Sequence, residues 1–360
     1  MSKQNYIIPI FVPHKGCPHN CVFCNQKRIT GQIHELAKSD VDNQISKYLK
    51  TIKKNDVNIE VAFFGGSFTA ISEKEQNQYL SIANKYLKNG DINAIRLSTR
   101  PDYIDNDILD NLKKFGVSIV ELGVQSMDEA VLSASQRGHS IKDTINAINI
   151  LKEKKFTIGV QLMVGLPNDN KNKCLETTRQ VINLKPQFVR IYPALVIKDT
   201  YMEYLYESGK YEPLELFEAI DISKEMLINF ESNNIKVIRI GLQPTDEMQM
   251  GKNVVAGPYH PSFRQLVETE IYKGMIEFVL NLAKVTSDSV VTIISNSKNY
   301  SNVIGQKKSN IRYFCKQFPT VAFNYMVDSI NKDSIEVNIN DDKYSLSKME
   351  YYKGVKKYYD

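Results

Sequence analysis

Three cysteines near the N-terminus have a spacing that could hold a metal centre. Cys17, Cys21 and Cys24 are separated by three and then two residues, and they make up three of the five cysteines in the chain. Thiolates favour iron–sulfur clusters, zinc and Cu(I). A structural zinc site takes four ligands, and His14 or His19 could supply the fourth. Three thiolates on a four-iron cluster would instead leave one iron open to a substrate or cofactor. We therefore interpret the three cysteines as ligands of a catalytic cluster and keep zinc as the alternative.

A second group of residues lies at or just after the ends of the predicted strands. Paired glycines let a backbone approach a ligand closely. A carboxylate, a carboxamide and a hydroxyl together suit a ribose or another polyol, and a guanidinium can hold a carboxylate through two hydrogen bonds. A flat adenine could stack on the backbone at the end of the fifth strand. The candidates are Gly65, Gly66 and Ser67 after the second strand, Thr99 after the third, Glu121, Gln125 and Ser126 at the fourth, Arg137 beyond it, and Gln161, Met163 and Gly165 at the fifth.

The elements that must position these residues alternate between strand and helix. Apolar runs predict six strands, and runs of helical period predict the helices between them. Such alternation indicates a parallel sheet with right-handed crossovers. Six units are too few to close an eight-stranded barrel, so we expect the α/β class with a partial (β/α)6 TIM-like barrel. In such folds the chemistry lies at the carboxyl ends of the strands. The predicted strands span 6–12, 59–64, 94–98, 118–124, 156–164 and 188–192, and the helices span 42–54, 73–88, 107–114, 142–154 and 175–183.

The alternation breaks after the sixth strand, which predicts a smaller α+β domain at the C-terminal end. We place the barrel domain at 1–230 and the C-terminal domain at 231–360. The Lys/Tyr-rich stretch from Tyr351 to Tyr359 is interpreted as a solvated, partly frayed terminus. The predicted later elements are helices at 210–230, 263–283 and 302–315, and strands at 235–240, 290–294 and 334–338, the last with a hairpin running to 345.

Composition sets broad limits on the function. The 360 residues are 42% hydrophobic and 24% charged, as in an ordinary soluble globular protein. No apolar run is long enough for a membrane span, and no signal peptide is recognisable. An odd number of cysteines, three of them clustered, favours a reducing cytoplasm over a disulfide framework. Cys174 and Cys315 are interpreted as ordinary cysteines, and His139 as a structural or supporting residue. The net charge of +5 only slightly favours a nucleic-acid partner.

The motifs resemble those of the radical S-adenosylmethionine superfamily. The cysteine spacing is typical of the superfamily as a whole, and the later motifs resemble its Elongator catalytic-subunit branch. The resemblance covers about residues 5 to 215 and is expected to continue into the C-terminal domain. The branch features are Pro13-His14-Lys15-Gly16-Cys17, Phe64-Gly65-Gly66-Ser67-Phe68, Thr99-Arg100-Pro101-Asp102, Glu121-Leu122-Gly123-Val124-Gln125-Ser126, Arg137-Gly138-His139, Gly165-Leu166-Pro167, Arg190-Ile191-Tyr192-Pro193 and Val196-Ile197-Lys198-Asp199-Thr200.

This resemblance implies an activity, two cofactors and a partner. A 4Fe-4S cluster on Cys17, Cys21 and Cys24 would pass one electron to S-adenosylmethionine, and the resulting 5′-deoxyadenosyl radical would abstract hydrogen from a substrate. The Gly65-Gly66-Ser67 motif would hold the amino group of S-adenosylmethionine, and Arg137 its carboxylate. The electron would come from a donor such as ferredoxin or flavodoxin. The branch implies RNA, specifically tRNA, as the substrate.

Other functions remain open at this point. Branch members that modify tRNA carry an acetyltransferase domain, and we expect none in the roughly 120 residues after Ile240, which contain no Gly-rich acyl-CoA loop. One alternative is therefore a small-molecule radical enzyme such as the oxygen-independent coproporphyrinogen oxidase type. A second is a non-catalytic zinc- or RNA-binding module that uses the same cysteines. A third, a degenerate scaffold, would require lost ligands, and no ligand is missing.

Overall fold

The computed structural model describes residues 4–12, 17, 20–25, 28, 36–52, 57–242 and 248–356. The chain divides into two compact units. A barrel unit contains residues 1–215, 235–239 and 243–259, and a C-terminal unit contains residues 216–234, 240–242 and 260–360. The expected boundary at 230/231 differs from this division in two ways. The helix before it, which starts at Leu216, belongs to the C-terminal unit, and most of the strand after it belongs to the barrel unit.

The barrel unit is built on a seven-stranded sheet with the order β1-β2-β3-β4-β5-β6-β8. The α/β partial-barrel class is confirmed, with one strand more than expected. The additional strand joins the open edge that β6 would otherwise leave unpaired. The strands are Gln4–Val12 (β1), Val57–Gly65 (β2), Ala94–Thr99 (β3), Val117–Gln125 (β4), Thr157–Val164 (β5), Phe188–Pro193 (β6) and Lys236–Ile240 (β8).

Helices connect the strands of this sheet, as the alternation predicts. The helix that follows β2 begins and ends at the predicted residues, because the Ser72 side chain accepts a hydrogen bond from the backbone N–H of Glu75 at its start and Gly90 takes a positive φ just past its end. Two short helices, α4 and α7, were not predicted. The helices of the barrel unit are Lys38–Thr51 (α1), Glu73–Lys88 (α2), Asn106–Lys114 (α3), Glu129–Ala134 (α4), Ile141–Glu153 (α5), Lys171–Asn183 (α6) and Tyr201–Glu207 (α7).

The sheet is curled, and its two faces differ in chemistry. On β4, Val120, Leu122 and Val124 are fully buried on one face, while Glu121 and Gln125 alternate with them on the other. Arg190 on β6 lies over the Phe64 ring on β2, 5.2 Å from its centroid. In a flat sheet those strands would be about 19 Å apart, at about 4.8 Å per strand. The contact therefore crosses a concave face, and the polar residues of β4 line that face.

A small antiparallel pair of strands, also unpredicted, lies beyond β6. Val196–Ile197 (β7) pairs with Val254–Ala256 (β9). Side chains of both strands contribute to a buried group that we call the apolar cluster. Its members are Val22, Val131, Leu166, Ala194, Val196, Met202, Tyr211 and Ala256, with Phe23, Met163, Leu205 and Val255 packed against them.

The C-terminal unit combines helices with a four-stranded sheet of order β11-β10-β12-β13, in which β10 and β11 are parallel and the other pairs antiparallel. This α+β arrangement agrees with the sequence prediction. The strand β11 was not predicted. The elements are Leu216–Ser232 (α8), Phe263–Leu282 (α9), Val290–Ser295 (β10), Tyr300–Ile304 (α10), Ser309–Gln317 (α11), Ala322–Val327 (β11), Ser334–Ile339 (β12), Asp342–Ser347 (β13) and Lys348–Lys356 (α12).

Three sequence predictions for the later part of the chain are wrong in detail. The helix predicted from 210 begins at Leu216, because Pro213 disfavours a helical residue before it. The helix predicted over 302–315 is interrupted at Gly305, whose φ is +77°. The C-terminal stretch is not frayed over its described part, since Tyr351 and Tyr352 are buried in α12. Among the described helices, none is long and apolar enough to cross a membrane.

Candidate active site

The segment with the second and third cysteines forms a tight, anchored turn. The backbone N–H of Cys24 donates to the carbonyl oxygen of Cys21 at 3.0 Å. Between them, Val22 is fully buried. The Val22 N–H donates to the Ser135 carbonyl at 3.1 Å, and its own carbonyl accepts from the Met202 N–H at 2.8 Å. The turn is therefore held from two sides by backbone hydrogen bonds.

Cys17 is half-buried and lies among groups that follow β2, β3 and β4. Burial raises the pKa of its thiol, whereas a hydrogen bond from the Ser67 backbone and the nearby charge of Arg137 act in the opposite direction. Cys21 also lies close enough to influence the pKa of the Cys17 thiol. Two of the three predicted ligands thus share one environment at the carboxyl edge of the sheet.

Arg137 links the cysteine segment to β4. Its Nη1 donates to the Cys21 sulfur at 3.3 Å, and its Nη2 donates to the Gly123 carbonyl at 2.6 Å. Gly123 leaves room for this contact, because an added Cβ there would lie 2.8 Å from Nη2. The Nε of Arg137 is buried and has no hydrogen-bond partner within the described part of the chain. The guanidinium therefore keeps a donor for a further acceptor.

Arg100 and His139 extend this polar region, and we call Arg100, Arg137 and His139 the arginine–histidine cluster. Arg100 is 2% exposed and binds the Asp102 carboxylate through Nε and Nη2, both at 2.9 Å. Burial and the charges of Arg137 and Arg100 lower the pKa of His139 to about 3, so its ring is neutral near pH 7. Arg100 Nη1 is buried without a hydrogen bond to any described residue.

The predicted glycine motif forms a sharp turn against β1. Gly65 has a φ of +124°, and a Cβ at this position would lie 2.1 Å from the Val12 carbonyl oxygen. Only glycine fits there. Gly66 follows it and reaches the same carbonyl through its N–H at 3.5 Å. Ser67 and Thr99 share a 2.8 Å hydrogen bond between their hydroxyls. The ends of β2 and β3 are therefore tied together directly beside Cys17.

Asp169 and Tyr211 hold the end of β5 in place, and the sequence analysis did not identify either of them as a site residue. Gly165 has a φ of +82°. Its N–H donates to Asp169 Oδ2 at 3.0 Å, and its carbonyl accepts from the Tyr211 hydroxyl at 2.6 Å. Burial raises the pKa of the Asp169 carboxyl. Met163, on the same strand, packs against the apolar cluster.

Glu121 stands apart from the other predicted site residues. Its Oε1 is paired with Arg96, and its Oε2 lies 3.0 Å from Arg190 Nε. Both carboxylate oxygens are thus engaged, and a contact with ribose stays a prediction. Gln125 and Gln161 instead pair with each other, Nε2 of Gln161 donating to Oε1 of Gln125 at 3.3 Å. The sequence analysis did not predict Arg96 or Arg190 as partners of Glu121.

The residues fit the implied cofactors by their chemistry. Among the residues that the structure describes, no three cysteine, histidine or acidic side chains converge closely enough to hold a metal ion. Three soft ligands beside unpaired cationic N–H groups nevertheless suit a cluster and an anionic cofactor group. His14 and His19, the candidate zinc ligands, lie outside the described residues.

Two protein-family models match most of the chain, and several known proteins are similar to it. The radical SAM superfamily model matches residues 11–181, and the radical SAM C-terminal domain model matches residues 186–273. A tRNA uridine(34) acetyltransferase of Methanocaldococcus jannaschii is 25% identical over 256 residues, which cover 60% of this chain and 47% of that protein. Human Elongator complex protein 3 is 26% identical over 195 residues, covering 48% of this chain and 36% of that protein.

A solved structure shares the fold. The archaeal Methanocaldococcus infernus Elp3, with an N-terminal deletion, superposes with a TM-score of 0.62 at 22% identity, covering 78% of this chain and 64% of that one. The chain spans about half the length of the acetyltransferase relative and about a third of the human one. The motif resemblance is confirmed, and the chain belongs to the radical S-adenosylmethionine superfamily of enzymes, in its Elongator-like branch.

Proposed function

We propose that this chain cleaves S-adenosylmethionine reductively at a 4Fe-4S cluster held by Cys17, Cys21 and Cys24. When bound, these cofactors supply one electron and a 5′-deoxyadenosyl radical able to abstract hydrogen from a substrate. The observation that carries the proposal is the position of Arg137, which contacts Cys21 while keeping a buried Nε without a partner among the described residues. A cationic donor beside a cluster ligand is where the carboxylate of a cluster-bound cofactor would be held.

The chain's own residues would then bind and orient the cofactor. Arg137 Nε binds the carboxylate through a charge-assisted hydrogen bond. The Gly65–Gly66 turn presents backbone polar groups to the amino group, while Ser67 and Thr99 keep that turn in place. These roles agree with the resemblance and are proposals for this chain.

The strands β4 and β5 would hold the nucleoside part of the cofactor. The paired carboxamides of Gln125 and Gln161 offer donors and acceptors to ribose hydroxyls. The Gly165 backbone, fixed by Asp169 and Tyr211, offers a flat surface to adenine. Met163 and the apolar cluster behind it limit access of water to the reacting atoms.

We propose RNA, and tRNA in particular, as the substrate, in a cytoplasmic reaction supplied by an electron donor such as ferredoxin or flavodoxin. Support comes from the relatives whose names specify tRNA uridine(34), and from the net charge of +5. No observation favours a porphyrin or another small molecule as the substrate. Small molecules would be tested next if the RNA test failed.

Binding of total tRNA at two salt concentrations tests the substrate proposal. If phosphates are contacted, affinity must fall steeply between about 50 and 200 mM salt, because each neutralised phosphate releases counterions. The reconstituted protein should also form more 5′-deoxyadenosine with tRNA than with a DNA duplex of similar length, which separates recognition from general charge attraction. Absent or salt-independent binding would contradict the proposal and move the search to small molecules.

A further inference from the structure

Val22, the first residue after the second cysteine, is held on both sides by backbone hydrogen bonds. Val22 is fully buried in the apolar cluster beside Val131 and Met202. Its N–H and carbonyl are bound from different elements, by Ser135 at the end of α4 and by Met202 in α7. Because a backbone bonded on both sides cannot shift without breaking one contact, the position of the Cys21–Cys24 turn depends on α7.

The residue after the third cysteine is held by the same part of the chain. Asn25 Nδ2 donates to the carbonyl oxygens of Lys198 and Asp199, both at 3.3 Å. Asn25 Oδ1 accepts from the Arg28 N–H at 3.2 Å. Asp199 has a φ of +57°, a conformation that suits a tight turn and exposes its carbonyl. One side chain therefore bridges the end of the cysteine segment and the turn after β7.

That turn is itself attached to the barrel unit. The Lys198 N–H donates to the Asn253 carbonyl at 3.0 Å, next to β9. Thr200 Oγ1 donates to the Ile197 carbonyl at 2.6 Å and accepts from the Glu203 N–H, so it caps α7. The turn and the start of α7 thus form one connected piece, which covers the branch motif from Val196 to Thr200.

We propose that residues 196–202 act as a clamp that positions the Cys21–Cys24 turn, with Asn25 as the positioning residue. The proposal rests on the proposed function, since the cysteines are taken as cluster ligands. A clamp orders the turn before the thiolates bind iron, so the chain loses less conformational freedom on binding. It also regains less freedom when iron leaves, so release is slower. It also explains why a motif far along the chain accompanies the cysteine motif: the two form a single structural unit.

The exposed ion pair near the clamp contributes little to it. Arg28 Nη2 lies 2.5 Å from Asp199 Oδ2, but these side chains are 48% and 61% exposed. Solvent-exposed ion pairs typically contribute little to stability, because water and salt screen their charges. The clamp therefore depends on the Asn25 side chain and the backbone carbonyls, and Asp199→Asn leaves those carbonyls in place.

The test compares iron release from reconstituted variants. In Asn25→Asp the donor becomes a carboxylate of the same shape, which repels the two carbonyls, and in Asn25→Ala the contact is lost without added charge. We expect both to release iron to a ferrous chelator at least fivefold faster than wild type, and to lose the change that S-adenosylmethionine causes in the electron paramagnetic resonance spectrum of the reduced cluster. Asp199→Asn should release iron at the wild-type rate.

Asn84→Asp is the matched control. The Asn84 side chain also donates to a backbone carbonyl, that of Phe115 at 2.8 Å, but outside the clamp. It should lower the melting temperature without changing iron release. Wild-type release from both Asn25 variants would overturn the clamp while leaving the proposed function intact. A wild-type protein that binds no iron would overturn both.

Discussion

Two groups of buried polar side chains, one on the concave face of the sheet and one at its carboxyl edge, differ in how completely they are paired. The first, which we call the ion network, consists of Glu60, Arg96, Glu121 and Arg190. Arg96 donates to Glu60 at 2.8 Å and also to Glu121, and Arg190 Nε lies 3.0 Å from Glu121, without the alignment of a hydrogen bond. The two arginines match the two carboxylates, so the formal charges cancel.

The arginine–histidine cluster has the opposite character. Asp102 is the carboxylate that pairs with Arg100, and Arg137 binds only a carbonyl and a sulfur among the described residues. Arg100 Nη1 and Arg137 Nε are buried without a hydrogen-bond partner among the described residues. A buried charge without a partner is costly. The difference agrees with a structural role for the ion network and with the proposed binding of anionic cofactor groups at the cluster.

The largest loss of unfolding free energy is expected when Arg96 is removed from the ion network. Arg96→Met leaves Glu60 without its cationic partner and Glu121 with one guanidinium. Removing one partner of a buried ion pair typically costs about 3 to 5 kcal/mol, and urea unfolding should show a loss of that order. The control is Lys154→Met, which breaks the more exposed pair with Asp110 and should cost less than about 1 kcal/mol. Equal losses in the two variants would contradict the structural role of the network.

Replacing Arg137 tests whether the arginine–histidine cluster binds the cofactor. A hydrogen bond to a charged group contributes about 1.5 to 3 kcal/mol, so Arg137→Ala should weaken binding of S-adenosylmethionine at least tenfold. Arg137→Lys, which keeps the charge without the planar fork, should recover part of the affinity. Titration calorimetry of the reconstituted proteins measures both. Unchanged affinity in Arg137→Ala would remove this residue from the cofactor site.

The sequence predicts the parts of this site that depend on local patterns. The cysteine spacing, the Gly65–Gly66 turn and the order of strands and helices all follow from residues close together in the chain. The partners of Glu121 could not be predicted in the same way, because Arg96 and Arg190 come from different strands. Whether they meet depends on strand order, register and curl. From the sequence alone the polar end of β4 is interpreted as a ribose contact, and this stays a prediction.

The clamp was missed for a related reason. The motif from Val196 to Thr200 was identified as diagnostic of the branch, but its contact with Asn25 joins segments more than 170 positions apart. A two-stranded pair such as β7 and β9 is also too short to produce a recognisable period. Long-range pairing, more than local conformation, limits what the sequence alone can predict here.

The pH dependence of the free energy of unfolding tests whether His139 is buried as a neutral ring. Its pKa in the folded protein is about 3, below the ordinary value, so the unfolded chain takes up the proton first as pH falls. The stabilisation from the neutral ring is complete above about pH 6.5 and is lost progressively toward pH 3. Between pH 7 and pH 5 wild type should lose about 2 kcal/mol more unfolding free energy than His139→Gln. Parallel losses, measured by denaturant titration, would contradict a buried neutral histidine.

Substitutions at two glycines separate the role of the ion network from that of the arginine–histidine cluster. In Gly159→Ala the new Cβ would lie 2.2 Å from the Phe188 ring and 2.9 Å from Glu121 Cγ, so the ion network must be displaced. Overpacking of this kind costs about 1 to 3 kcal/mol. In Gly123→Ala the neighbours are the ends of Arg137 and Gln125, which can move. We expect Gly159→Ala to lower the free energy of unfolding more than Gly123→Ala does, and Gly123→Ala to weaken cofactor binding severalfold with little effect on stability. The same profile in both would remove the distinction.

The most direct test of the central assignment is the amount of 5′-deoxyadenosine formed per chain after anaerobic reconstitution, addition of S-adenosylmethionine and reduction. Wild type and Cys315→Ala, whose replaced cysteine is exposed and outside the site, should form it at the same rate. Cys17→Ala, Cys21→Ala and Cys24→Ala should form none and should lose iron. Full iron and undiminished 5′-deoxyadenosine formation in any of these three variants would contradict the assignment of the cluster to Cys17, Cys21 and Cys24.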